Sequence, residues 1–201
     1  MTYRTKKNVA SIIPYAVWML MMLILPATPE CYAARSLVTF MLLVPCLVYL
    51  EKHHGVIHRN STLLPEFAWG VLGGAVVFAL WVFPEQFEWY RRWFIIGDGG
   101  TPDIATSGMW MKLIRLGGSA FVISVAEEMF FRRWLMRFAG FWWMVALFAI
   151  EHDRWLAGAI AGALYGWLAL RKGLVSAIVA HVATNLALGM YVLETKAWEL
   201  W

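Results

Sequence analysis

Apolar residues in this chain are gathered into long runs, and charged residues are confined largely to the gaps between them. That arrangement restricts the available folds more than any other feature. A helix of about 20 apolar residues is what crosses the roughly 30 Å hydrocarbon core of a bilayer. Inside that core every backbone N–H and C=O needs an internal partner, which leaves only helices and closed barrels. Seven apolar segments can be drawn, at about 12–29, 36–50, 66–83, 113–131, 139–151, 155–170 and 174–193. The expected fold class is therefore all-α, a polytopic transmembrane helix bundle of about seven helices with a buried polar cavity. Composition agrees. The chain is 61% apolar and 15% charged, against roughly 45–50% and 25% in soluble domains. Its thirteen tryptophans suit the headgroup level, where an amphipathic indole is favoured.

No polar stretch is long enough for a second domain, so residues 1–201 read as a single membrane domain. The formal charge of +4 does not point to nucleic acid. Lys and Arg cluster at the ends of apolar runs, as in Arg4–Lys6–Lys7 and Arg171–Lys172, a pattern of membrane orientation rather than of a phosphate-binding face. If Cys31 flanks a span and Cys46 lies within it, they stand about 22 Å apart along a helix, too far for a disulfide. Residues 4–33 have the elements of a signal peptide. Because the apolar run continues toward Pro29 and another follows at once, an uncleaved first span is expected.

Two polar connections are evident. Residues 51–62 form the first, and residues 84–111 the longer second, where Trp89, Trp93 and Trp110 mix with Arg91, Arg92, Asp98 and Asp103. Such a mixture predicts a segment lying on the membrane surface, with a turn at Gly97–Pro102. An N-terminus in the cytoplasm puts Arg4, Lys6, Lys7, Lys52, Arg59, Arg132, Arg133, Arg137, Arg171 and Lys172 inside, ten of the seventeen Lys and Arg. That is the orientation the positive-inside rule favours. Segment 139–151 is too short to span and ends in Glu151-His152-Asp153-Arg154. Polar backbone at depth is tolerated only against protein or a water-filled cavity, so a buried polar chamber is expected there.

Three polar groups sit where an apolar helix would not keep them without reason. Glu127 and Glu128 follow a long apolar run, and a charge at mid-membrane costs about 2.5–3.5 kcal/mol on insertion scales. Glu128 and Arg132 are four apart and can pair on one helix face, while Glu127 points about 100° away. A salt-bridge network at the inner interface would account for both. His152 ends a short apolar helix behind Phe148, where it is equally readable as an interfacial residue. His181 and Asn185, four apart in the last apolar segment, share a face and could be either packing residues or a donor pair. Together they offer what peptide hydrolysis requires, an activated water and stabilisation of the oxyanion.

The spacing Glu127-Glu128-x-x-x-Arg132, then Phe148-x-x-x-His152, then His181-x-x-x-Asn185 resembles the EExxxR, FxxxH and HxxxN motifs of the CPBP family of intramembrane proteases, which includes the type II CAAX prenyl endopeptidases. The similarity covers roughly residues 110–195, the expected catalytic core. It implies an intramembrane endopeptidase in which Glu127 is the general base, assisted by His152. His181 and Asn185 would donate hydrogen bonds to the oxyanion. Glu128 and Arg132 would hold the helix in place.

Glu127, His152 and His181 would also make a zinc ligand set. There is no HExxH helix, and the resemblance lies closer to a metal-free glutamate enzyme, so no cofactor is expected. The short chain further resembles the CAAX-protease-related proteins of bacteria that sort proteins through exosortases, which implies the bacterial inner membrane. The implied partners are membrane lipid and a membrane-anchored or lipidated protein or peptide substrate, with no nucleic acid. Two rival readings use the same residues, a non-proteolytic membrane scaffold held together by its polar groups and a small transporter relaying protons. A transporter would be favoured by inverted repeats, of which the sequence has no sign.

Overall fold

The computed structural model describes residues 3–55, 63–96 and 102–201; Arg59 and most of the turn at 97–102 lie outside the described residues. Helix α1 spans Tyr3–Ile24, α2 Pro29–His54 and α3 Leu63–Val82. Two short helices follow, α4 (Glu88–Phe94) and α5 (Pro102–Thr106). Then come α6 (Met109–Ala139), α7 (Phe141–Ile150), α8 (Trp155–Arg171) and α9 (Leu174–Thr195). Helices α1, α2, α3, α6 and α9 are long and apolar enough to cross a membrane, and the described residues contain no strand.

The bundle is apolar outside and polar within. Leu23, Leu64, Phe138 and Trp142 are exposed, whereas Ser124, Glu128, Arg132 and His181 are buried. With lipid as the outer solvent the apolar surface costs nothing, so buried polar contacts and close packing must hold the helices together. Arg132 is 2% exposed, and its charge is answered within the core by Glu128.

Local sequence explains most helix boundaries. Thr28 Oγ1 accepts the Cys31 backbone N–H at 3.3 Å, and Pro29 sits in the first turn of α2, where its missing N–H is not needed. Both cysteines therefore lie within α2 and both are free thiols. The reversals from α6 to α7 and from α8 to α9 turn on Gly140 (φ 90°) and Gly173 (φ 99°), conformations that a side chain would strain. After α4, the Ile96 N–H donates to the Asp153 carbonyl at 2.8 Å. Arg154 pairs with Glu85. These two contacts tie the turn at 151–154 to the connection after α3. That connection exposes Trp89, Trp93 and, farther on, Trp110, the kind of surface expected of an interfacial segment.

Two glycine-lined contacts set the depth of packing. On α8, Gly158, Gly162 and Gly166 recur every four residues and face α7; a Cβ on Gly158 would lie 3.1 Å from His152 Cβ, and one on Gly162 would lie 3.2 Å from Phe148 Cδ1. On α3, Gly70 and Gly74 form a small-xxx-small pair against α9, as in close transmembrane crossings. Thr184 on α9 donates to the Gly74 carbonyl at 3.0 Å, and Tyr165 donates to the Thr184 hydroxyl at 2.7 Å. A Cβ on Gly74 would stand 2.6 Å from the Ala180 carbonyl oxygen. Gly74→Val should accordingly destabilise the bundle by about 1–3 kcal/mol, the usual range for overpacking. The check is a lowered midpoint of thermal unfolding in detergent compared with Leu72→Val on the lipid face.

Candidate active site

Helix α6 is not a uniform α-helix. Two π-helical turns, Gly118–Ile123 and Met129–Leu135, flank the α-helical stretch Ser124–Glu128. Such widened turns occur often at functional positions, and here they bracket both glutamates. Glu127 is 8% exposed and Glu128 wholly buried.

The two carboxylates have different surroundings. Glu128 Oε1 accepts from His181 Nδ1 at 2.8 Å and pairs with Arg132 Nη1 at 3.0 Å. The Arg132 guanidinium lies 4.2 Å from the Phe148 ring centroid and 5.4 Å from that of Tyr165. It is thus enclosed by π-faces on one side and a carboxylate on the other. Glu127 has no such partner among the described residues. Its Oε2 is buried without a hydrogen bond and stands 3.7 Å from His181 Nε2, too far for a direct bond.

Phe148 and His152 reach this centre because α7 is only 10 residues long, about 15 Å at 1.5 Å per residue. The helix stops partway through the bundle, as its length predicts. His152 Nδ1 donates to the Phe148 carbonyl at 2.7 Å. A carbonyl can only accept, so Nδ1 carries a hydrogen, and in the neutral ring the lone pair is on Nε2. The Phe148 ring lies 4.6 Å from the His152 ring and 5.8 Å from the His181 ring. It thereby spaces the two imidazoles while covering Arg132. His181 Nδ1 donates to Glu128, and its Nε2 stands toward Glu127.

Asn185 is engaged within the protein. Its side-chain amide donates to the Ser119 carbonyl at 3.0 Å and to Ser124 Oγ at 2.9 Å, and Ser124 in turn donates to Ser119 O at 2.8 Å. An amide nitrogen has two hydrogens, and one is committed to Ser119 in the first π-helical turn of α6 and the other to Ser124 just after it. An oxyanion at this amide would have to displace one of them. These two bonds tie Asn185 of α9 to the glutamate helix.

A cavity of about 920 Å³ joins these groups, with Glu127, His152, His181 and Asn185 in its wall, at the upper end of the range for ligand pockets. Two further wall residues bear on the site. Tyr15 of α1 donates to Glu151 Oε1, and Glu151 Oε2 is left buried without a partner. Glu151 was legible as part of a polar run but not as a cavity acid. Tyr15 carried no signal, being one aromatic residue in an apolar segment. For zinc, three donors would have to converge at about 2.0–2.2 Å. Among the described residues no three His, Cys, Asp or Glu side chains are grouped to hold a metal ion.

These differences give a direct test of the Glu128 role. Glu128→Gln removes the carboxylate that, among the described residues, is paired with the buried Arg132 guanidinium, a change that costs about 3–5 kcal/mol when one member of a buried pair is lost. Folded yield and thermal midpoint in detergent should fall sharply, whereas Glu127→Gln should leave both nearly unchanged.

Comparison with known proteins adds one match. The family model described as type II CAAX prenyl endopeptidase Rce1-like matches residues 108–187. That span contains Glu127, Glu128, Arg132, Phe148, His152, His181 and Asn185. Neither the curated proteins nor the solved structures yield a match.

Proposed function

We propose that the chain is an intramembrane protease that hydrolyses a peptide bond in a membrane-anchored or lipidated substrate with Glu127 as general base, a reading supported by the match of residues 108–187 to the Rce1-like type II CAAX prenyl endopeptidase model. One observation carries the proposal. Glu127, His152 and His181 share one cavity wall, and each keeps an atom without a protein hydrogen bond, Oε2 of the glutamate and Nε2 of each imidazole.

The chemistry follows from those open positions. A water in the cavity gives one hydrogen to Glu127 Oε2 and directs the other at His152 Nε2, which aims an oxygen lone pair at the substrate carbonyl carbon. Glu127 takes the proton as the C–O bond forms, and the carbonyl oxygen becomes the oxyanion. Because Nδ1–H of His181 is held by Glu128, donation from its Nε2 to that oxygen is made by the imidazolium form of the ring. Collapse of the adduct breaks the C–N bond, and the proton held by Glu127 passes to the leaving amine. Asn185 keeps α6 in register rather than touching the substrate. A substrate tethered to lipid arrives from the bilayer, as the depth of the site requires.

The test is cleavage of a lipidated, fluorogenic peptide by the purified chain in detergent micelles. Glu127→Gln should lower kcat by roughly 10²–10⁴-fold, the usual contribution of a general base, with an unchanged thermal midpoint. Retained turnover in that variant would remove Glu127 from the chemistry. Turnover abolished by a strong chelator and restored by zinc would replace the metal-free mechanism with a metal-dependent one.

A further inference from the structure

The same cavity has a second charged pole that this mechanism does not use. From the glutamates it extends toward the α1–α2 turn, where Arg35 of α2 and Arg115 of α6 form part of its wall, near Ala27. The helices meet closely there: a Cβ on Gly118 would lie 2.5 Å from Ser36 Oγ. Arg35 is 6% exposed and therefore does not extend its charge to a headgroup or to water. Both guanidiniums flank the Tyr32 ring, at 5.8 and 4.8 Å from its centroid, and are near enough to repel each other. Among the described residues neither has a carboxylate partner, and Nε of each is buried without a hydrogen bond.

Two unneutralised cations in a low-dielectric wall are unfavourable unless an anion joins them. The other two buried arginines among the described residues, Arg132 and Arg154, each have a carboxylate. The missing counter-charge at Arg35 and Arg115 thus belongs to something that enters the cavity. Arginine is suited to a carboxylate because its planar fork can bind both oxygens. We propose that Arg35 and Arg115 form a subsite for the C-terminal carboxylate of the peptide substrate, an inference that rests on the protease reading of the same cavity.

The helix sets its reach. Arg115 and Glu127 are twelve residues apart on α6, about 18 Å at most, and an extended peptide covers about 3.3–3.6 Å per residue. The bond at Glu127 is therefore no more than about five residues from the carboxylate. A membrane phospholipid phosphate has the right charge for the arginines. It would leave unexplained why their cavity is continuous with the hydrolytic groups.

Two peptides of one sequence test this, one ending in a free carboxylate and the other in a carboxamide, each carrying the same lipid anchor. Cleavage is followed with the intact chain in phosphatidylcholine nanodiscs, and binding with the Glu127→Gln variant. The acid should exceed the amide by at least about tenfold in kcat/KM and in affinity, the factor one charge-assisted hydrogen bond supplies. Arg35→Gln and Arg115→Gln should each bring that ratio near one, and Arg35→Lys should restore part of it. A merely structural lesion would lower both peptides together and keep the ratio, which would overturn the assignment. So would equal handling of acid and amide by the unaltered chain. So too would a response of both peptides to added phosphatidylglycerol that depends on the arginines, which would give the subsite to a lipid phosphate. Acid preference in binding without any cleavage would uphold the subsite and sink the protease reading instead.

Discussion

A guanidinium with no access to water must be neutralised where it stands, and the bundle is organised around that requirement. Arg132 is answered by Glu128, and Glu128 also receives His181 from α9. Phe148 from α7 and Tyr165 from α8 close the remaining faces of the cation. Helices α6 to α9 each contribute one wall to a single charged group. Removing any wall exposes a charge to hydrocarbon, where its cost is several kcal/mol. Spacing among the four helices is thereby fixed to within a side chain before any ligand is considered.

Two adjacent glutamates can then have unlike roles. Successive residues on a helix point about 100° apart, so Glu128 faces the arginine while Glu127 faces the cavity. Glu128 has spent its charge on Arg132 and His181. Glu127 keeps an oxygen with no protein partner, which is what a base acting on water needs. The π-helical turns on both sides adjust the phase of α6 around this pair. Asn185 locks the first of them through Ser119 and Ser124. Residues that look equivalent in the motifs thus divide into those that hold the helix and those that face the cavity.

The rest of the cavity comes from places without a motif. Helix α1 supplies Tyr15, which engages Glu151, and α2 supplies Arg35. Both belong to the half of the chain whose sequence indicates only membrane-spanning helices. An aromatic residue in an apolar segment is ordinary there, and an arginine near the end of a span reads as an interfacial anchor. The polar run 151–154 was visible as an anomaly, because four polar residues between two short apolar segments conflict with a simple span. Which of the four would face the cavity was not visible, since that depends on how α7 ends against α8.

The linear order of residues determined the class of fold, the seven apolar helical segments and the Glu128–Arg132 pair. Each of these follows from periodicity and bilayer thickness, which act over one helix at a time. It also marked Glu127, His152, His181 and Asn185, because polar groups in apolar helices stand out against their neighbours. Tertiary structure decided the remainder: that Asn185 is tied to Ser119 and Ser124 of the glutamate helix, that Arg132 is an interior charge, and that Glu151 and Arg35 share one cavity with Glu127. Those outcomes depend on how helices are rotated and how deeply glycine lets them approach. Rotation and depth are set by contacts between residues far apart in the chain, and no local pattern encodes them.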